Sequence, residues 1–90
     1  MNRTIVTLVG KDHVGIIAAV CNFFADNNIN ILDIKQTTVQ EYINMILVVD
    51  TSGYDKGYDA LNAGLEAVGE KVGCIIRATH EDVFEMMHRI

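Results

Sequence analysis

Two hydrophobic periods alternate along the chain. Arg3 to Val9 (RTIVTLV) is rich in β-branched residues and carries apolar groups at both odd and even positions. That is the pattern of a central strand covered on one side and partly on the other. The run stops at Gly10 to Gly15 (GKDHVG), where two glycines and Asp12 predict a loop. From Ile16 the spacing changes: Ile16, Val20 and Phe24 fall four apart, with Ile17 and Phe23 beside them, which makes one apolar helix face. Asp26-Asn27-Asn28 ends this helix, since asparagine tolerates the left-handed turn at a C-terminus.

Asn30 to Val39 (NILDIKQTTV) sets Leu32 and Ile34 against Asp33 and Lys35, an alternation that predicts a half-exposed strand at a sheet edge. Gln40-Glu41 is a short connection without the favoured Asn-Gly chemistry. Tyr42 to Val49 (YINMILVV) is a nearly continuous apolar run and reads as a second central strand. After a turn at Thr51-Ser52-Gly53, Asp55 to Lys71 is helical, with Leu61, Leu65 and Val68 on one face and Asp59, Asn62, Glu66 and Glu70 on the solvated one. Gly57, Gly64 and Gly69 each weaken that helix by up to ~1 kcal/mol relative to alanine. Gly64 is expected to allow close packing on the sheet. Val72 to Thr79 (VGCIIRAT) is a last strand. Thr79 and Asp82 then have capping-box spacing, His80 is placed to cap, and Val83, Phe84, Met87 and Ile90 form a stripe. These features predict a helical tail over 81–90 beyond a domain of 1–80.

The order strand, helix, strand, strand, helix, strand implies an α+β, ferredoxin-like βαββαβ sandwich with an additional C-terminal helix. In that topology the first and third strands are central and the second and fourth lie at the edges. Both long helices fall on one face of the sheet. Ile5, Val9, Met45 and Leu47 are expected to oppose Val6, Leu8, Ile46 and Val48, more apolar surface than one covered face can bury. The tail helix, a second copy of the chain, or both should cover the rest.

Composition narrows the functional classes. Ninety residues make one domain, burying only ~60–65% of the unfolded surface, so a second subunit is one way to bury more. Twelve acidic residues against seven basic ones give a net charge of -5, with no Lys/Arg cluster, which argues against nucleic acid and anionic membrane as partners. Cys21 and Cys74 sit among apolar residues as core fillers, with no CxxC pair to suggest zinc. No apolar leader follows Arg3, and no stretch approaches a membrane span, so a reduced, cytoplasmic setting is expected. No serine or cysteine has a general base in its sequence setting, and the carboxylates at 55, 59, 66 and 70 spread along a helix face. Neither a catalytic group nor a cofactor or metal site is expected.

The loop Gly10-Lys11-Asp12-His13-Val14-Gly15 has suggestive polarity. It leads into the positive end of a helix, whose free N–H groups suit a carboxylate or phosphate, and Asp12 suits an ammonium group. An amino acid carries both charges. The plainer reading is that Asp12 or His13 caps the helix near Gly15, with His13 otherwise solvated.

Asp12-His13-Val14-Gly15-Ile16 resembles the D-x-P-G-[IL] turn that opens the first helix of ACT domains. Asn30-Ile31, after Asn27-Asn28-Ile29, resembles that family's G-x-N-I entry to the second strand. The resemblance covers Arg3 to Thr79. It is strongest for free-standing small ACT proteins and the ACT units of glycine-cleavage-system transcriptional repressors. It implies regulatory binding of an amino acid or related metabolite where two units join edge to edge. Carried over by position, Gly10 and Asp12 match ligand-contacting loop positions, Gly15 the glycine of close approach, and Asn30 the polar residue facing the ligand. Lys11, His13, Val14 and Ile31 complete the implied ligand-binding set. Val14 departs from the usual proline, Gly10 stands where some members carry histidine, and Asn28 replaces a common glycine. The resulting expectation is a non-catalytic, metabolite-sensing homodimer whose state a regulatory protein partner reads. The alternative is a ligand-free dimerisation or protein-interaction module. A third reading, an enzyme using His13 and Asp12, requires only those two groups.

Overall fold

The computed structural model describes residues 3–81, so the predicted tail helix lies, apart from Glu81, outside the described residues. The elements are β1 (Arg3–Lys11), α1 (Ile16–Asp26), β2 (Asn30–Val39), β3 (Tyr42–Asp50), α2 (Gly57–Val72) and β4 (Cys74–His80). The strands form one antiparallel sheet in the order β2-β3-β1-β4, with β1 and β3 central as their apolar content predicts. This is the expected ferredoxin-like α+β sandwich.

Several boundaries differ from the sequence reading. Gly10 and Lys11 belong to β1, paired with Ile43 and Tyr42, not to the loop. Helix α2 starts at Gly57 and ends at Val72, and Gly73 closes it in the left-handed region (φ 71°) before β4 begins at Cys74. The two-residue Gln40–Glu41 turn is as expected, with Gln40 at φ 54°, and Asn28 takes φ 57° where a glycine would be usual.

Register corrects the assignment of sheet faces. Val6 lies opposite Leu47 and Ala78, and Leu8 opposite Met45 and Ile76, so Met45 and Leu47 share the face of Val6 and Leu8. Ile5 and Thr7 instead face Val48 and Ile46. Alternation within one strand fixes which residues share a face of that strand. It leaves open how two strands are matched, which the turns decide. The Val6/Leu8 face packs on Ile16, Val20 and Phe24 of α1 and on Leu61 and Leu65 of α2. At ~1.5–3 kcal/mol for each large side chain withdrawn from water, this layer is the main source of stability. On the opposite face Ile5 is buried, while Val9, Ile46 and Ile75 are 46%, 40% and 74% exposed.

Two close approaches depend on missing side chains. A Cβ on Gly64 would lie 2.7 Å from the Phe23 ring, so this glycine admits α1 rather than the sheet as expected. A Cβ on Gly10 would lie 2.5 Å from Cys74 Sγ and 2.9 Å from Cys74 Cα, so Cys74 occupies the space that a Gly10 side chain would fill. Overpacking of this kind costs ~1–3 kcal/mol. Gly10→Ala should therefore lower the denaturation midpoint in urea by a corresponding amount. Cys74→Ala should recover part of the loss in a double-mutant cycle, because the backbone contact remains. Additive effects of the two changes would contradict the contact.

Candidate functional site

The segment between β1 and α1 is held from two sides. At its start the Asp12 N–H donates to the Glu41 carbonyl at 2.7 Å, tying the chain to the β2–β3 turn. Lys11 Nζ lies 3.6 Å from Glu41 Oε2, but both side chains are largely exposed and the pair adds little. Val14 is fully exposed, and Gly15 adopts φ 98°, ψ -9° as the residue that opens α1. That left-handed conformation is one that glycine takes without a Cβ clash.

Neither Asp12 nor His13 caps α1, contrary to the plainer expectation. The helix has no side-chain cap and no acidic residue in its first turn. Its N-terminal amides are therefore free of any side-chain acceptor among the described residues, and the helix dipole makes that end positive. The reason is that both candidate caps are drawn elsewhere. The Asp12 backbone goes to the hairpin, and the His13 ring reaches across to α2.

His13 Nε2 lies 2.5 Å from the carbonyl oxygen of Val72, and Nδ1 lies 3.0 Å from that of Val14. A carbonyl only accepts, so the arrangement is complete when both ring nitrogens carry protons. The Val72 carbonyl, foremost, and then that of Val14 raise the His13 pKa above 6.5; desolvation opposes them, and the charge of Asp12 adds the least of these effects, also upward. Val72 is the last residue of α2, so the cation also sits at the negative end of that helix. Rather than a merely solvated histidine, this exposed ring is a clasp between the loop and α2.

The Val72 carbonyl has a second partner. The Cys74 thiol donates to it at 3.7 Å. Burial, and then the charge of Asp12, hold that thiol above its ordinary pKa, so it stays protonated and is a poor nucleophile. Glu41, Val72 and Cys74 were absent from the sequence-derived set. The first two act through backbone carbonyls, which carry no sequence signal, and Cys74 is recognised only through its fit against Gly10.

The remaining predicted residues lie at the far end of the sheet. Asn30 is paired with Asp50, which pairs with Arg3, whereas the loop begins after Lys11. Eight residues of strand separate those rows, about 26 Å at ~3.3 Å per residue. One copy of the chain therefore does not bring Asn30 to the loop. Asn30 is exposed, and Ile31 packs against the core. The structure has a cavity of about 430 Å³ between α2 and β4 and one of about 190 Å³ beside Tyr54 and Tyr58, and the loop residues 11–15 line neither. Among the described residues, no three metal-ligating side chains cluster, and no helix is long and apolar enough to cross a membrane.

The clasp makes stability depend on pH. Because the folded-state pKa of His13 lies above 6.5, its stabilisation is fully present below that value. It is lost as pH rises through the raised value. Thermal unfolding of the wild type and of His13→Ala between pH 5 and 9 should show the largest difference at the acid end, narrowing towards pH 9. A difference constant with pH would mean that the ring acts only by packing.

The family model for the ACT domain matches residues 4–63. A UPF0237 protein of Bifidobacterium longum is 46% identical over 90 residues, covering 100% of both chains. Among solved structures, an ACT domain protein from Streptococcus pneumoniae superposes with a TM-score of 0.82 at 34% identity, covering 93% of this chain and 94% of that one. A formyltetrahydrofolate deformylase from Pseudomonas syringae shares the fold over 27% of its own length, with a TM-score of 0.80 at 21% identity. With its βαββαβ order, its Asp12–Ile16 turn and these matches, the chain belongs to the ACT domain family of regulatory ligand-binding domains.

Proposed function

We propose that this chain is a non-catalytic regulatory domain that binds an amino acid or a closely related metabolite at or near the boundary between two copies. The observation that carries the proposal is the uncapped N-terminus of α1 with Asp12 in the turn before it. A carboxylate suits the free amides at the positive helix end, and an ammonium group suits Asp12. Gly15 leaves room for close approach, since nothing lies within 4 Å of a Cβ built there. Asn30 enters from the second copy, because within one chain it stands at the opposite end of the sheet. The signal follows from differential affinity: a ligand held by both copies favours the paired state, and a regulatory protein partner reads that state in the cytoplasm.

Catalysis has little support in this loop. The Cys74 thiol is held protonated, and both His13 nitrogens are committed to carbonyls. The ligand-free interaction module has one observation in its favour: the space over Gly10 is filled by Cys74 rather than left for a ligand.

Thermal shift with the common amino acids decides between them. At one hundred times the dissociation constant, a ligand should add about 2.7 kcal/mol of stability. In a domain this size that is a rise in melting temperature of roughly 10–20 °C. Asp12→Asn should abolish the shift without altering the unliganded melting temperature by more than about 2 °C. A wild type unmoved by every amino acid would favour the interaction module.

A further inference from the structure

We infer that residues 82–90 fold back as a helix over the sheet face turned away from α1 and α2, crossing β1 and β3 from Arg3 towards Asp33. This closure of the face by the chain's own end stands apart from the sensing reading.

Ile5 is the first observation. Among the described residues it is the one buried apolar side chain outside the core cluster, at 6% exposure. It lies on the face opposite Val6 and Leu8, whereas both described helices pack on the Val6 and Leu8 side. Its row neighbours Val48 and Thr79 are half-buried. Further along the same face Val9 and Ile75 stay 46% and 74% exposed. Burial on this face is thus confined to the end where β4 finishes. The chain is already over that end when it leaves β4. Glu81 is helical, and its Oε2 lies 3.6 Å from the guanidinium of Arg3, which shares the face of Ile5. The pair is too exposed to add much stability, but it marks where residue 82 begins. No connecting loop is needed, so this chain's own tail reaches the face ahead of a second copy's.

Length and charge select the path. Neighbouring strands lie about 4.8 Å apart, and three residues of helix rise ~4.5 Å. Ile5, Val48 and Asp33 form one row across β1, β3 and β2. Counted from Glu81 at β4, Phe84 comes over Ile5, Met87 over Val48 and Ile90 over β2. These are three of the four residues in the tail's apolar stripe. The acidic start, Glu81 and Asp82, then stands beside Arg3, and the basic end, His88 and Arg89, beside Asp33. Asp33 is exposed, and one of its carboxylate oxygens accepts from the Ile34 N–H at 2.9 Å. A helix laid along β1 instead would cover Val9 and Ile75, the residues that stay exposed. It would also carry its basic end towards Arg77 and Lys11, which is unfavourable.

Double-mutant cycles in the full chain test the path. Ile5→Ala should multiply the unfolding constant about 30-fold, as for a core residue. Combined with Phe84→Ala, its effect should fall short of additive by about threefold or more, and Val48→Ala with Met87→Ala should do the same. Val9→Ala with Met87→Ala should be additive. Additivity in the first two pairs would overturn the docking, and coupling of Met87 to Val9 in place of Val48 would overturn the path. The wild type supplies a second measurement that needs no destabilised variant. Its nuclear Overhauser spectrum should connect the Ile5 methyl groups to the Phe84 ring, and Phe84→Leu should remove that signal. Absence of the signal in the wild type would overturn the inference. In a mixture of chains labelled at isoleucine with chains labelled at phenylalanine, the cross-label contact should vanish. Its persistence would put the tail on a second copy and overturn closure by the chain's own end.

Discussion

The close approach of β1 and β4 at Gly10 and Cys74 sets the geometry of the whole loop end of the molecule. Because Gly10 has no side chain, Cys74 sits against the backbone of β1. Gly73 must therefore turn the chain out of α2 within a single left-handed residue. That turn leaves the Val72 carbonyl pointing at the β1–α1 segment, where it accepts from both the Cys74 thiol and the His13 ring. His13, drawn to Val72, is not available to cap α1. The open helix end that suits an anionic ligand is thus a downstream effect of strand packing.

The electrostatics of the loop follow from the same contacts. The carbonyl at the negative end of α2 favours a charged imidazole, and the Asp12 carboxylate stands beside it in sequence. Asp12 acts on two neighbours, raising both the His13 and the Cys74 pKa. The loop therefore sets Asp12 next to an imidazole whose charged form the Val72 and Val14 carbonyls favour.

Much of this was legible in the sequence. Hydrophobic periods located all six described elements, and apolar content identified β1 and β3 as central. The edge character of β2 showed in its alternation around Asp33 and Lys35. What escaped were relations between distant residues. The pairing of Val6 with Leu47 depends on cross-strand register, which one strand's pattern does not contain. Gly10 read as a loop glycine because a glycine kept for close packing and one kept for a turn look alike in one dimension. His13 and Val72 are 59 residues apart, and their contact involves a carbonyl that every residue carries. Asn62 read as one more polar residue on a solvated helix face. Its role appears only when α2 is laid beside the edge of β4.

The inequality of the edges has a consequence for assembly. A sheet with two open edges propagates: each added copy exposes a fresh strand, and the product is a fibre. A sheet with one open edge stops at two copies, because pairing of like edges about a two-fold axis consumes both. Asn62 satisfies the outer side of β4 at Ala78 with two hydrogen bonds. Closure at Ala78 disfavours strand addition there, whereas Ile34 on the other edge turns its amide outward.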